Sequence, residues 1–157
     1  MIKKFESFGD FYRKEATFDW RKEFIQIREL FYNIEENLWE YGGSLDFQAG
    51  WRSSMNSYQY PCHLKEDEII GNADSIDHAC GVFGKFCVRV TIDAKFKNNN
   101  YSPFKTTGTQ SFFGENANKM LDIMMRINYI KGRMEDYKIG VTFDGELILI
   151  NFLRDKQ

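Results

Sequence analysis

At 157 residues, with 43% hydrophobic and 28% charged content, the chain has the size of one compact domain and can bury about 70% of its unfolded surface in a single core. It needs neither disulfides nor metal merely to fold, and two prolines and twelve glycines exclude collagen-like and low-complexity classes. The formal net charge is −2, while 17% of residues are aromatic, an excess that either thickens a core or equips a contact surface.

Along the chain, Ile2, Phe5 and Phe8 have near-helical spacing broken by Gly9, which predicts a short helix or turn. From Trp20 to Tyr41 apolar residues recur every three or four positions (Phe24, Ile27, Leu30, Phe31, Ile34, Leu38). This predicts one helix over about 18–41, with Thr17 or Asp19 as N-cap and Gly42-Gly43 as its stop. Its other face, with Glu23, Arg28, Glu29, Glu35, Glu36 and Glu40, reads as acidic and solvated. Leu45, Phe47, Ala49 and Trp51 then alternate with polar residues, as in a strand with one wet face. A second strand is expected over Met55–Tyr60, ending near Pro61, followed by loop and one helical turn as far as Gly81.

Even positions from Val82 to Phe96 are apolar or small and odd positions are mostly polar, predicting a long half-buried antiparallel strand. KNNNYSP reads as loop, and Phe104–Phe112 as a weak strand. Helical spacing returns over 115–131. Tyr137–Phe143 and Leu147–Leu153 form a terminal hairpin turning at Asp144-Gly145, its last strand apolar on both faces and therefore central. The expected fold is α+β over residues 1–157 as one domain: two main helices, about 18–41 and 115–131, on an antiparallel sheet of about five or six strands.

No secretory h-region follows Lys3-Lys4, and no apolar run approaches the ~20 residues of a membrane span. With an odd three cysteines, a cytoplasmic setting in a cell or an infected host cell is expected. Phe, Tyr, Ile, Asn and Lys, whose codons are A/T-rich, make up 61 residues. Such usage suits a low-GC bacterium, a mobile element or a phage.

Charge is uneven: residues 15–41 and 42–81 each sum to −4, and 82–113 to +4. On the long strand Lys85, Arg89 and Lys95 project from one face beside Phe83, with Lys97 and Lys105 nearby. Spaced cations with an aromatic on a sheet face suit single-stranded nucleic acid, or simply a solvated face. The pI of 5.7 favours the latter. Cys62, His63, His78, Cys80 and Cys87 all fall in one short window, the residue types of a zinc site or a cysteine nucleophile. Their spacing matches neither Cys-x2-4-Cys nor His-x3-5-His.

With no catalytic constellation in view, the expected function is non-enzymatic: an accessory protein, regulator or inhibitor that docks on a protein partner. The candidate contacts are the aromatics least committed by periodicity, Trp51, Tyr58, Tyr60, Phe83 and Tyr101. The alternatives are a nucleic-acid binder using Lys85, Arg89, Lys95, Lys97 and Lys105, and a zinc- or cysteine-dependent domain on the Cys/His window. No cofactor other than zinc is suggested.

Overall fold

The computed structural model describes residues 18–40, 43–53, 55–82, 84–93, 100–101, 110–111, 114–144 and 147–154. In chain order the elements are α1 (Trp20–Glu29), α2 (Tyr32–Glu40), β1 (Ser44–Arg52), β2 (Tyr58–Lys65), β3 (Glu68–Gly71), α3 (Ala73–Val82), β4 (Lys85–Asp93), β5 (Asn100–Tyr101), β6 (Gln110–Ser111), α4 (Glu115–Arg133), β7 (Tyr137–Asp144) and β8 (Leu147–Arg154). Six strands form one antiparallel sheet in the order β3-β2-β1-β4-β8-β7, and β5 pairs with β6 apart from it. The class is α+β, and β8 is flanked by β4 and β7 as its two-sided apolar sequence predicts.

Strand alternation puts Phe47 and Ala49 of β1, Phe86, Val88, Val90 and Ile92 of β4, and Ile148, Ile150 and Phe152 of β8 on one face of the sheet. All are buried in a single core with Trp20, Phe24 and Ile27 of α1, Phe31, Ile34 of α2, Ile76 of α3, and Ile123, Ile127 and Ile130 of α4. The helices therefore form one layer and the sheet the other. Each large apolar side chain fully buried between them stabilises the fold by about 1.5–3 kcal/mol. No described helix is long and apolar enough to cross a membrane.

The single helix expected over 18–41 is instead two. Asp19 does cap the first, accepting from the Lys22 N–H. At Leu30 and Phe31 the ladder tightens, the Phe31 N–H donating to the Arg28 carbonyl at 2.9 Å. The kink drops the Phe31 ring between Phe47 (5.9 Å) and Phe152 (6.0 Å), both edge-to-face. The Leu30 carbonyl is then bonded by Arg126, whose Nε and Nη2 donate to it at 3.1 and 2.9 Å. Nor is the acidic face simply solvated, because Glu23 accepts from Arg154 at 2.6 Å and Arg28 pairs with Asp67.

The expected loop over 62–81 is also corrected. The strand expected to end near Pro61 runs on to Lys65, turns through Glu66 and Asp67, both at positive φ, and returns as β3. Asn72 then starts α3, its side chain accepting from the Ser75 N–H. Among the described side chains of that helix, Ile76 and Ala79 are fully buried, too few for a visible apolar period. As α3 extends through Val82, the long strand starts at Lys85. At the far hairpin Asp144 pairs with Leu147, so the connection is 145–146, one residue beyond the expected Asp144-Gly145. Residues 1–17, 102–109 and 145–146 lie outside the described residues, and with them the expected N-terminal helix and most of the weak strand 104–112.

Candidate functional site

The sheet's second face is covered by no described helix. It carries Gln48, Gly50 and Arg52 of β1, Lys85, Cys87 and Arg89 of β4, and Asn151 of β8, aligned by the antiparallel register. What distinguishes this face is a bulge in β2. Ala49 pairs with Cys62 and Trp51 with Gln59, so Tyr60 and Pro61 together oppose Gly50. The extra residue inverts the alternation. Cys62 and Leu64 point into the core, while Tyr58 and Tyr60, of the same sequence parity, point to the open face. Proline fits at a bulge because no ladder N–H is required of it.

Gly50 makes the bulge sterically feasible. A Cβ there would lie 2.6 Å from the Gln59 carbonyl carbon and 2.9 Å from the Tyr60 Cα, backbone atoms that cannot swing aside. With no side chain at Gly50, Tyr60 leans across β1 to strands it does not pair with. Its hydroxyl donates to Asn151 Oδ1 at 3.3 Å, and the Arg89 guanidinium stands 4.4 Å from its ring centroid. Arg89 Nε donates to the same Asn151 oxygen at 3.1 Å, fixing both side chains at one acceptor. Tyr58 stacks on Tyr60, 6.2 Å between centroids and only 8° from parallel. Arg52 lies 5.7 Å from the Tyr58 ring and is itself held by Asn56. Two arginines and two tyrosines thus make one braced cluster, with Tyr58 41% exposed. Cation–π contacts of this kind contribute about 0.5–1 kcal/mol each at exposed sites.

Tyr60 also accounts for Cys87. That thiol lies at an odd position expected to be wet, yet it is fully buried, with Tyr60 in hydrogen-bonding reach. Burial pushes the Cys87 thiol up to about 12, the Tyr60 contact opposing only part of the rise. Burial likewise raises the Tyr60 hydroxyl. Comparison with known protein families, with curated proteins and with solved structures finds no match to this chain. The chemistry of this face therefore rests on its own residues.

Of the predicted contact residues, the structure brings Tyr58 and Tyr60 together and sends Trp51 elsewhere. Trp51 pairs with Phe86 on the helix-covered side, half-buried against the core and close over Gly84. Tyr101 lies in β5, opposite Gln110; its side chain falls outside the described residues, as does Phe83. Of the basic set, Arg89 is in the cluster and Lys85 is exposed at its edge, paired with Arg52 across the ladder; Lys95, Lys97 and Lys105 lie outside the described residues. Arg52 and Asn151, missed in the sequence, could have been found only from the strand register.

The Cys/His window is dispersed. Cys62 is buried in the helix-side core, while the adjacent His63 points to the open face, 3.5 Å from Asp46. His78 and Cys80 lie on α3 and Cys87 lies under Tyr60. Among the described residues no three His, Cys, Asp or Glu side chains are grouped to hold a metal. Burial raises the Cys62 thiol and lifts Cys80 to about 11, so both stay protonated at neutral pH and are poor nucleophiles. A concavity of about 590 Å³ on the helix side, between Tyr32, Phe47 and Leu64, is rimmed by Glu35, Glu36 and Glu66.

Proposed function

We propose that this protein is a non-enzymatic binding protein, an accessory factor, regulator or inhibitor, that docks a protein partner on the uncovered face of its sheet. The observation that carries the reading is the Arg52–Tyr58–Tyr60–Arg89 cluster. Tyrosine and arginine are, with tryptophan, enriched at interface hot spots, and in this cluster they are held in place before any partner arrives. Bracing lowers the side-chain entropy lost on association, which costs about 0.5–1.5 kcal/mol per immobilised flexible side chain.

Affinity purification from the native cell, run with the wild-type chain and with Tyr58→Ala/Arg52→Ala, tests the reading. A partner retained by the wild type should bind at least about 30-fold more weakly to the double variant, as expected for losing ~2 kcal/mol at a hot spot. A partner held equally by both would overturn the assignment. A second reading, binding of single-stranded nucleic acid, is favoured by Arg52, Lys85 and Arg89 sharing the face with Tyr58. It predicts retention on single-stranded oligonucleotides that falls steeply with salt. The docking reading ranks first because Tyr60 already has Arg89 and Tyr58 against its ring, leaving it little free surface for a base.

A further inference from the structure

We propose that α4 carries a self-association surface, through which two copies of this chain pair antiparallel about Met125. The inward side of α4 is accounted for by Ile123, Ile127 and Ile130. Its outward side nonetheless carries a second apolar stripe, Leu121, Met125 and Tyr129, exposed by 60%, 71% and 49%. Four-residue spacing places the three one above another along the helix. On a solvated helix face such a row gains little beyond weak contacts between four-spaced side chains, and contiguous water-exposed apolar stripes mark contact sites.

Charge selects the occupant. Beside the stripe, on one flank, stand Glu115 and Asp122 in the N-terminal half of the helix and Arg126 and Arg133 in the C-terminal half. At 100° per residue these four lie within about 40° of one another around the axis. A two-fold axis through Met125 reverses the helix direction and keeps that flank on the same side. Glu115 then meets Arg133 of the second copy, and Asp122 meets its Arg126. Leu121 packs against the second copy's Tyr129, and the two Met125 side chains meet at the axis. A parallel two-fold pairing would instead carry the flank to opposite sides of the interface, so that none of the four charges meets a partner of opposite sign from it.

Arg133 is already positioned for this, donating to the Tyr129 hydroxyl at 2.9 Å. Arg126 lies 4.9 Å from the same ring and keeps its Nε and Nη2 on the Leu30 carbonyl of its own chain, so Asp122 of the second copy meets its Nη1, and the outer Glu115–Arg133 pair carries most of the selection. Gly132, whose missing side chain faces open space, falls opposite Asn118 of the second copy and lets the helix ends approach. The stripe and its rim offer roughly 300–400 Å² per copy against the ~800 Å² of a standard interface, so the dimer is of the weak class, with half-association on the order of 100 µM.

Sedimentation equilibrium on the full chain from about 10 µM to 1 mM tests this. The wild type should shift from monomer to dimer across that range, and Met125→Lys should remain monomeric throughout with an unchanged thermal melt. Glu115→Arg should weaken the dimer roughly three- to tenfold, since each symmetric pair contains the contact twice. Glu115→Arg/Arg133→Glu should restore it to within about twofold. The two positions are about 27 Å apart along one helix, so restoration has to come through a second copy. A wild type that stays monomeric at 1 mM, a dimer indifferent to Met125→Lys, or a double variant no better than the single would each overturn the proposal.

Discussion

Alanine at Gly50 probes the one backbone feature on which the open-face cluster depends. The added Cβ would stand 2.6 Å from the Gln59 carbonyl carbon and 2.9 Å from the Tyr60 Cα, and nearer still to the Gln59 oxygen. Carbon atoms in contact settle at about 3.5–4.0 Å, so β2 has to retreat from β1 by roughly 1 Å to clear the carbons, and further to clear the Gln59 oxygen. No side-chain rotation relieves the clash, because every close atom is main chain. Overpacking costs about 1–3 kcal/mol where side chains can adjust, and a backbone clash belongs at the upper end, about 3 kcal/mol. For a domain of this size that is a drop of about 6–12 °C in melting temperature. Gly140→Ala is the matched control, a sheet glycine on β7 where a Cβ meets nothing within 4 Å. Its melting temperature should hold or rise slightly, since alanine narrows the unfolded ensemble. Thermal and urea denaturation of both variants decide the matter. If Gly50→Ala melts within about 2 °C of wild type, or if Gly140→Ala falls as far, the bulge does not depend on the missing side chain at Gly50.

Three further outcomes follow from named contacts. Asp77 accepts from the Trp20 indole at 2.6 Å and from Arg21 at 2.9 and 3.0 Å; Asp77→Ala should cost about 1–2 kcal/mol at pH 7, most of it from the orphaned indole because the ion pair is largely exposed. Arg21, and then Trp20, hold the Asp77 carboxyl below its usual range. This stabilisation is complete above the unfolded pKa of about 4 and is lost as pH falls through the lowered native value, so a gap between wild-type and variant urea midpoints that widens on acidification would contradict it. Arg126→Leu keeps the packing but strips the Leu30 carbonyl of two charged donors, and should cost about 1.5–3 kcal/mol by urea denaturation; an unchanged midpoint would mean that water replaces the guanidinium at the kink. Native Cys80 and Cys87, with thiols raised to about 11 and about 12, should resist iodoacetamide at pH 8. Tyr60→Ala should speed Cys87 alkylation, followed by mass spectrometry, at least about tenfold, whereas Tyr60→Phe, which keeps the covering ring, should not.

Period-two and period-three-to-four spacing reports burial on one side only, and where that held the fold was legible. The even positions 86–92, the helix expected over 115–131 and found over 115–133, and the two-sided apolar β8 all take the roles their spacing predicts. The misplacements have separate physical causes. A kink at Leu30–Phe31 leaves no trace, because the break itself serves to bury Phe31 and the apolar spacing continues across it. The β2–β3 turn carries Glu66 and Asp67 at positive φ, where glycine or asparagine is the usual signal. Helix α3 is anchored by few buried side chains, so its ten residues read as loop.

The candidate site was legible in residue type and illegible in arrangement, and a single residue of register separates the two. Counted by alternation from Cys62 and Leu64, Tyr58 and Tyr60 belong to the core, where they would be two more packing aromatics. The bulge at Tyr60-Pro61 turns them to the other side and converts core material into surface. Pro61 and Gly50 are its visible sequence marks, a proline inside a strand and a glycine opposite it, each read alone as a weakness of its strand. Together they specify a crossing point at which one strand lays a tyrosine over its neighbour. Trp51 shows the reverse case: the extra residue of the bulge lies on β2, and β1 pairs with β4 without interruption, so Trp51 follows its strand's alternation from Phe47 to the helix side. Of the aromatics between 47 and 60, those that reach the open face are the ones beyond the bulge, and it is these that Arg52 and Arg89 hold in place.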